Sequence, residues 1–119
     1  MVFFYNANGD LLSLTPKQIY QGSNKANTIY FVCPTAPGNT VTVAFKLPNG
    51  EVTPPYFMQL AENTGIGQVV DSHGNKYYLW FFELPRAVTS YKGDVTVQFF
   101  IATGEATIAT QPANLTISG

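Results

Sequence analysis

Regular alternation of apolar and polar side chains constrains the fold of this chain more than any other feature. Residues 40–47 read TVTVAFKL, in which the apolar set is Val41, Val43, Phe45 and Leu47. Residues 94–102 read DVTVQFFIA and repeat the pattern with Val95, Val97, Phe99 and Ile101. Because successive side chains of a strand point to opposite faces of its sheet, both runs predict strands that are buried on one face.

Shorter runs of the same kind occur along the whole chain and are separated by turn residues. They cover residues 2–6, 11–15, 27–33, 56–60, 77–84, 106–110 and 113–117. Residues 61–76 are rich in Gly, Asn and Asp and are predicted to form a polar loop. No segment has convincing helical periodicity.

About seven to nine short strands in a chain of this length predict an all-β fold. We expect an antiparallel two-sheet β-sandwich of immunoglobulin-like kind, with a small barrel as the alternative. Residues 1–119 should form a single domain, the N-terminal domain of a longer protein. The shared phase of the runs predicts one core that contains Val41, Val43, Phe45, Trp80, Phe82, Val97, Phe99 and Ile101.

The segment YYLWFFEL, residues 77–84, has two apolar faces. Trp80 and Phe82 share the face assigned to the core, which leaves a second face to be covered. Tyr30 and Phe100 are also out of phase with the core residues of their own strands. These side chains form the candidate protein interface, which comprises Tyr30, Tyr77, Leu79, Phe81 and Phe100.

A protein interface is one of three ways in which this second face could be used. Aromatic rings can stack against pyranose sugars, which predicts rings in a groove with Asn, Gln or Asp beside them. Alternatively, the chain's own loops, residues 15–26 or 61–76, fold over the rings.

Charge is scarce in this sequence. Only 11% of the residues are charged, against roughly 25% in a typical soluble domain, which suggests that other protein covers part of the surface. The net charge of −1 and the scattered basic residues argue against a nucleic-acid partner, because phosphate binding needs clustered Lys and Arg. No apolar run has the length of a membrane span, and the first residues lack the basic region of a signal peptide.

Few residues of this chain are candidates for catalysis or metal binding. Asp71, Ser72 and His73 are the residue types of a catalytic triad, but triad members normally converge from distant segments, so we interpret them as a polar turn. Cys33, the only cysteine, is in phase with Ile29 and Phe31 and should be a small buried hydrophobe. Because the chain has only one histidine and one cysteine, the sequence predicts no metal site. We expect no cofactor and no enzymatic activity.

Four segments carry a resemblance to a known family. They are IYQGSNKANTIYFV (19–32), TVTVAFKLPNGE (40–51), LPRAVTSYKGDVTVQFFIATGE (84–105) and ATQPANLTI (109–117). Their residues and their order along the chain resemble the N-terminal domain of baseplate upper proteins of siphophages that infect Gram-positive hosts. The shared features are an early Gln-Gly step, a Pro-Asn-Gly-type turn and a late Leu-Pro step.

The resemblance implies a structural component of the virion, located in the tail baseplate and assembled in the host cytoplasm. Such a domain docks on the tail hub, and the rest of the polypeptide carries the receptor-binding proteins. Its partners would be other tail and baseplate proteins, with a possible homo-oligomer in the full-length protein, and neither nucleic acid nor membrane. The main alternative is a carbohydrate-binding or adhesin module of a cell-surface protein.

Overall fold

The computed structural model describes residues 1–6, 8–14, 18–34, 39–61, 68–70 and 72–119. Within these ranges the chain forms twelve strands and one four-residue helix. The strands are β1 Val2–Tyr5, β2 Leu11–Leu14, β3 Ile19–Tyr20, β4 Thr28–Cys33, β5 Thr40–Lys46, β6 Tyr56–Phe57, β7 Gln59–Leu60, β8 Gln68–Val70, β9 Lys76–Glu83, β10 Gly93–Ala102, β11 Thr107–Ala109 and β12 Ala113–Ser118. The helix, α1, is Arg86–Thr89 and lies between β9 and β10.

The strands form two sheets. The first has the order β2-β1-β4-β9-β7, with β8 also paired to β9. The second has the order β3-β12-β10-β5-β6, with β11 also paired to β10. The all-β prediction is therefore confirmed.

Both sheets are mixed, so the expectation of purely antiparallel pairing is wrong. β1 pairs with β4 in parallel, and β12 pairs with β3 in parallel. In the first sheet the hairpin partner β2 occupies one edge of β1, and the other edge is left for β4. Alternation within a strand predicts which side chains face the core, but it carries no information about this strand direction.

Side chains from both sheets meet in one core. Phe31 of the first sheet stacks on Phe99 of the second, with ring centroids 4.1 Å apart and an interplanar angle of 4°. Phe3 also packs against Phe99 at 5.3 Å. The predicted core is confirmed for Val41, Val43, Phe45, Trp80, Val97, Phe99 and Ile101.

Two further predicted core positions can be compared with the structure. Phe82 is only partly buried and packs against the edge of the core, where its ring lies 5.1 Å from that of Tyr56. Cys33 is completely buried, which confirms its prediction as a small core residue.

The polar-loop prediction for residues 61–76 is partly wrong, because Gln68–Val70 form β8 and pair with residues 76–78 of β9. Residues 62–67 and Asp71 lie outside the described part of the chain. The helix α1 is not predicted by the sequence pattern either. It follows Pro85 and has a single turn, which is too short to produce a helical period in the sequence.

The segment after β3 is hydrogen-bonded to the segment around α1. The side-chain amide of Gln21 donates a hydrogen bond to Ser90 O at 2.9 Å, and Gly22 N donates one to Thr89 O at 2.8 Å. Arg86 N donates to Asn24 Oδ1 at 3.0 Å. The Gln-Gly step and the Leu-Pro step, which are part of the family resemblance, therefore belong to one hydrogen-bonded corner.

Thr110 interrupts the pairing along β10 between β11 and β12. Its backbone N donates to Phe99 O at 3.0 Å, while Phe99 N donates to Thr110 Oγ1 at 3.3 Å. The same hydroxyl donates to Gln111 O at 3.1 Å, and Thr110 is only 3% exposed. The side-chain hydroxyl thus replaces a backbone acceptor at the centre of the second sheet.

Replacing Thr110 with valine should therefore destabilise the protein by about 1–3 kcal/mol, because the buried Phe99 N–H loses its acceptor while side-chain volume is nearly kept. Urea unfolding followed by tryptophan fluorescence measures this loss. Thr110→Ser keeps the hydroxyl and is the matched control, which should lose less than the valine variant. A valine variant as stable as the wild type would contradict this prediction, because it retains the threonine methyl group and lacks only the hydroxyl that accepts the hydrogen bond from Phe99 N.

Candidate protein interface

The face of the first sheet that points away from the core carries two rows of apolar side chains. Strand register aligns Leu12, Phe4, Val32 and Leu79 across β2, β1, β4 and β9. The next row aligns Val2, Tyr30 and Phe81 across β1, β4 and β9. We call these seven side chains the apolar face.

The apolar face is open to solvent in part. Leu12 is 47% exposed and Tyr30 is 36% exposed, and the other five side chains are partly buried. Neither row contains a charged residue. Polar residues border the second row, since Thr28 pairs with Glu83 at its end and Gln59 pairs with Phe81 at its side. An apolar centre with a polar margin is the usual composition of a protein interface.

The five predicted interface residues do not form one patch. Tyr30, Leu79 and Phe81 are brought together in the apolar face. Tyr77 is on the same face but only 3% exposed, and its ring lies 4.9 Å from that of Phe4. Phe100 belongs to the second sheet, where it pairs with Thr42 and Ala109 on the face opposite to buried Phe99.

Four members of the apolar face were missed by sequence reasoning, namely Val2, Phe4, Leu12 and Val32. Val2 and Phe4 are out of phase with Phe3, which is completely buried, so alternation could have assigned them to the outer face. Their position beside Tyr30 and Val32 depends on the parallel pairing of β1 with β4, for which the sequence gives no signal.

A cleft of about 220 Å³ lies at the border of the apolar face. It is lined by Lys25, Phe57, Gln59, Phe81, Phe82 and Glu83. We call it the Phe57 cleft, since Phe57 is 73% exposed and is the most exposed large hydrophobic side chain in the described part of the protein.

A second depression, of about 580 Å³, lies beside the turn between β1 and β2. We call it the amide groove, because the rings of Phe4 and Tyr77 line it together with Asn6, Asn8, Ser72, His73 and Asn75. Asn6 also has a structural role, since its Oδ1 accepts hydrogen bonds from the backbone N of Asn8 and of Asp10, each at 3.0 Å. Rings beside Asn side chains are the arrangement that the sugar-binding alternative predicts.

Of the three residues that resemble a catalytic triad, the structure describes Ser72 and His73. Ser72 Oγ lies 3.5 Å from Nδ1 of His73, its neighbour in sequence, and both side chains are exposed. Asp71 is outside the described residues. Among the residues that the structure describes, no group of three or more His, Cys, Asp or Glu side chains is placed to hold a metal ion.

In the same described part of the chain, no helix has the length and apolar character needed to cross a membrane. Comparison with known proteins adds no assignment, because neither a family model nor a curated protein matches the chain.

Proposed function

We propose that this chain is a structural, protein-binding domain that docks on a neighbouring protein through its apolar face. The observation that carries this proposal is the pair of uncharged apolar rows across four strands of the first sheet. The shared core, in which Phe31 stacks on Phe99, further supports a two-sheet sandwich of immunoglobulin-like kind as the scaffold of this face.

The partner that this face fits is a protein with an apolar surface of its own. Stable protein interfaces bury roughly 800 Å² on each partner, and a few central side chains, aromatic ones above all, contribute most of the binding energy. Tyr30 lies on β4, the middle strand of this sheet, and Phe81 is its neighbour in register on β9, so these two rings would be such residues. A sugar fits the apolar face less well, because the two rows contain no amide or carboxylate side chain to bind its hydroxyl groups.

The biological setting follows from the family resemblance. We place the domain in the tail baseplate of a siphophage, where it docks on the tail hub while the rest of the polypeptide carries receptor-binding proteins. In this setting it acts without catalysis or cofactor. The corner formed by the Gln-Gly and Leu-Pro steps gives the shared motifs a structural role.

Binding to the purified hub protein of the same phage tests this proposal by isothermal titration calorimetry. Leu79→Asp and Tyr30→Asp place a carboxylate in the apolar face and should weaken binding more than about tenfold, because the charge must be desolvated in the complex. Asn114→Asp adds the same charge on an exposed position of the second sheet and should bind normally.

Circular dichroism of each variant separates binding from folding. Folded Leu79→Asp and Tyr30→Asp variants that bind the hub like the wild type would contradict the proposal. Unfolding of both variants would also contradict it, because the apolar face would then be internal, covered by the chain's own loops.

Carbohydrate binding is the second candidate function, and the amide groove is the observation that favours it. In this mode of binding the ring of Phe4 stacks against a pyranose while the neighbouring amides bind its hydroxyl groups. A glycan array decides between the two candidates. Sugar binding that is lost in Phe4→Ala and Asn8→Ala variants, together with no hub binding, would replace the protein-docking proposal.

A further inference from the structure

We propose that the Phe57 cleft is a self-association site, at which two copies of this chain pair about a two-fold axis. The cleft combines a protruding ring, a recess and side chains of both charges in one small patch. A two-fold interface uses the same patch on both copies and must therefore be complementary to itself. The cleft shares Phe81 with the apolar face, so a second copy bound here and a partner docked on the apolar face would compete for that side chain.

Phe57 is held in its exposed position by the residues on either side of it. The ring of Tyr56 packs against Phe45 at 6.1 Å and Phe82 at 5.1 Å. Met58 is buried, and its backbone N donates to Val41 O at 2.9 Å. The chain passes here from β6 in the second sheet to β7 in the first. Phe57 thus projects from a fixed backbone, which lowers the entropy that would be lost on binding.

The recess beside Phe57 suits one aromatic side chain. Its volume of about 220 Å³ is below the roughly 300 Å³ at which small-molecule sites begin. Phe81 and Phe82 form its apolar lining. In the proposed dimer Phe57 of each copy enters the recess of the other, so that the two rings pack against each other across the axis in the offset or tilted arrangements that aromatic pairs prefer.

The charged side chains of the cleft fit the same arrangement. Lys25 and Glu83 both line it, and the backbone of Lys25 is fixed by a hydrogen bond from its N to Leu84 O at 2.8 Å. A two-fold axis that runs between Lys25 and Glu83 would bring Lys25 of each copy toward Glu83 of the other and so create two equivalent ion pairs. These pairs would set the orientation of the two copies more than the affinity.

Sedimentation equilibrium on the 119-residue chain, from about 10 μM to about 1 mM, tests the proposal. The cleft is small compared with a standard interface, so we expect a weak dimer with a Kd on the order of 100 μM. Phe57→Ser should be monomeric throughout this range. Ile108→Ser removes another exposed apolar side chain, 44% exposed on β11, and should dimerise like the wild type.

Charge reversal tests the two-fold geometry itself. Lys25→Glu and Glu83→Lys should each raise the Kd several-fold, and the double variant should return it close to the wild-type value because both ion pairs are restored with exchanged signs. Leu79→Asp, in the apolar face, should dimerise normally, which separates this site from docking on the hub. A wild-type chain that stays monomeric at about 1 mM, or a dimer that Phe57→Ser leaves unchanged, would overturn the inference.

Discussion

Replacing Phe99 with alanine is expected to destabilise the protein by about 3–5 kcal/mol, the usual cost of removing a fully buried aromatic ring. Phe99 is completely buried and contacts the rings of Phe31 and Phe3 from the other sheet. Its removal would leave a cavity between the sheets that neither partner can fill without moving its own strand. Because small domains are stable by only about 5–15 kcal/mol, a large part of the total stability would be lost.

Urea unfolding monitored by circular dichroism measures this effect. Phe57→Ala removes the same side chain from a position that is 73% exposed and should change the free energy of unfolding by no more than about 0.5 kcal/mol in the monomer. Similar losses in the two variants would mean that the stacking of Phe31 on Phe99 does not hold the sheets together.

Replacing Gly93 with valine is expected to destabilise the protein by about 2–4 kcal/mol. Gly93 begins β10 with a φ of +126°, a backbone conformation in which residues other than glycine are strained. A Cβ there would also lie 3.2 Å from Cβ of Pro48 and 3.3 Å from its Cγ. The proline ring belongs to the turn after β5 and cannot rotate away, so the backbone strain and the steric clash should both contribute.

Gly104→Val is the matched control for this substitution. Gly104 lies in the turn between β10 and β11, and a Cβ added there meets nothing within 4 Å. We expect a change of about 0.5 kcal/mol or less in its thermal or urea unfolding. A Gly93→Val variant as stable as this control would show that the turn before β10 can adopt a different backbone.

Much of the core could be predicted from the sequence because alternation is a local property. The partition of residues 40–47 into Val41, Val43 and Phe45 against Thr40 and Thr42 follows from the geometry of a single strand. It is confirmed by the burial of all three apolar residues. The same reasoning located Cys33 in the core without knowledge of its neighbours.

Pairing between distant segments could not be predicted in the same way. The parallel contact of β1 with β4 places Val2 beside Tyr30 and so widens the apolar face. The sequence identified Leu79, Phe81 and Tyr30 as out of phase, but it contained no sign that they share a face with β1. It also could not separate Phe100 from them, because phase within a strand does not reveal which sheet the strand joins.

The exposed position of Phe57 could not be predicted from the sequence for a different reason. The pattern of residues 56–60 predicts one strand, whereas the chain changes sheets at Met58. A strand that leaves one sheet for the other no longer places its side chains on a single pair of faces. The aromatic ring beside the crossing point is thereby directed outward, although its sequence context is that of a half-buried strand.

The position of β12 has a consequence for how this protein is made. β12 lies between β3 and β10 in the second sheet, and Ile19 pairs with Ile117. At ribosomal speeds of roughly 5–20 residues per second, β3 leaves the ribosome about 5–20 s before the strand that pairs with it. Throughout that interval β3 has no strand to pair with, because β12 is its only sheet partner among the residues that the structure describes, so products of premature termination before β12 should be degraded or aggregate.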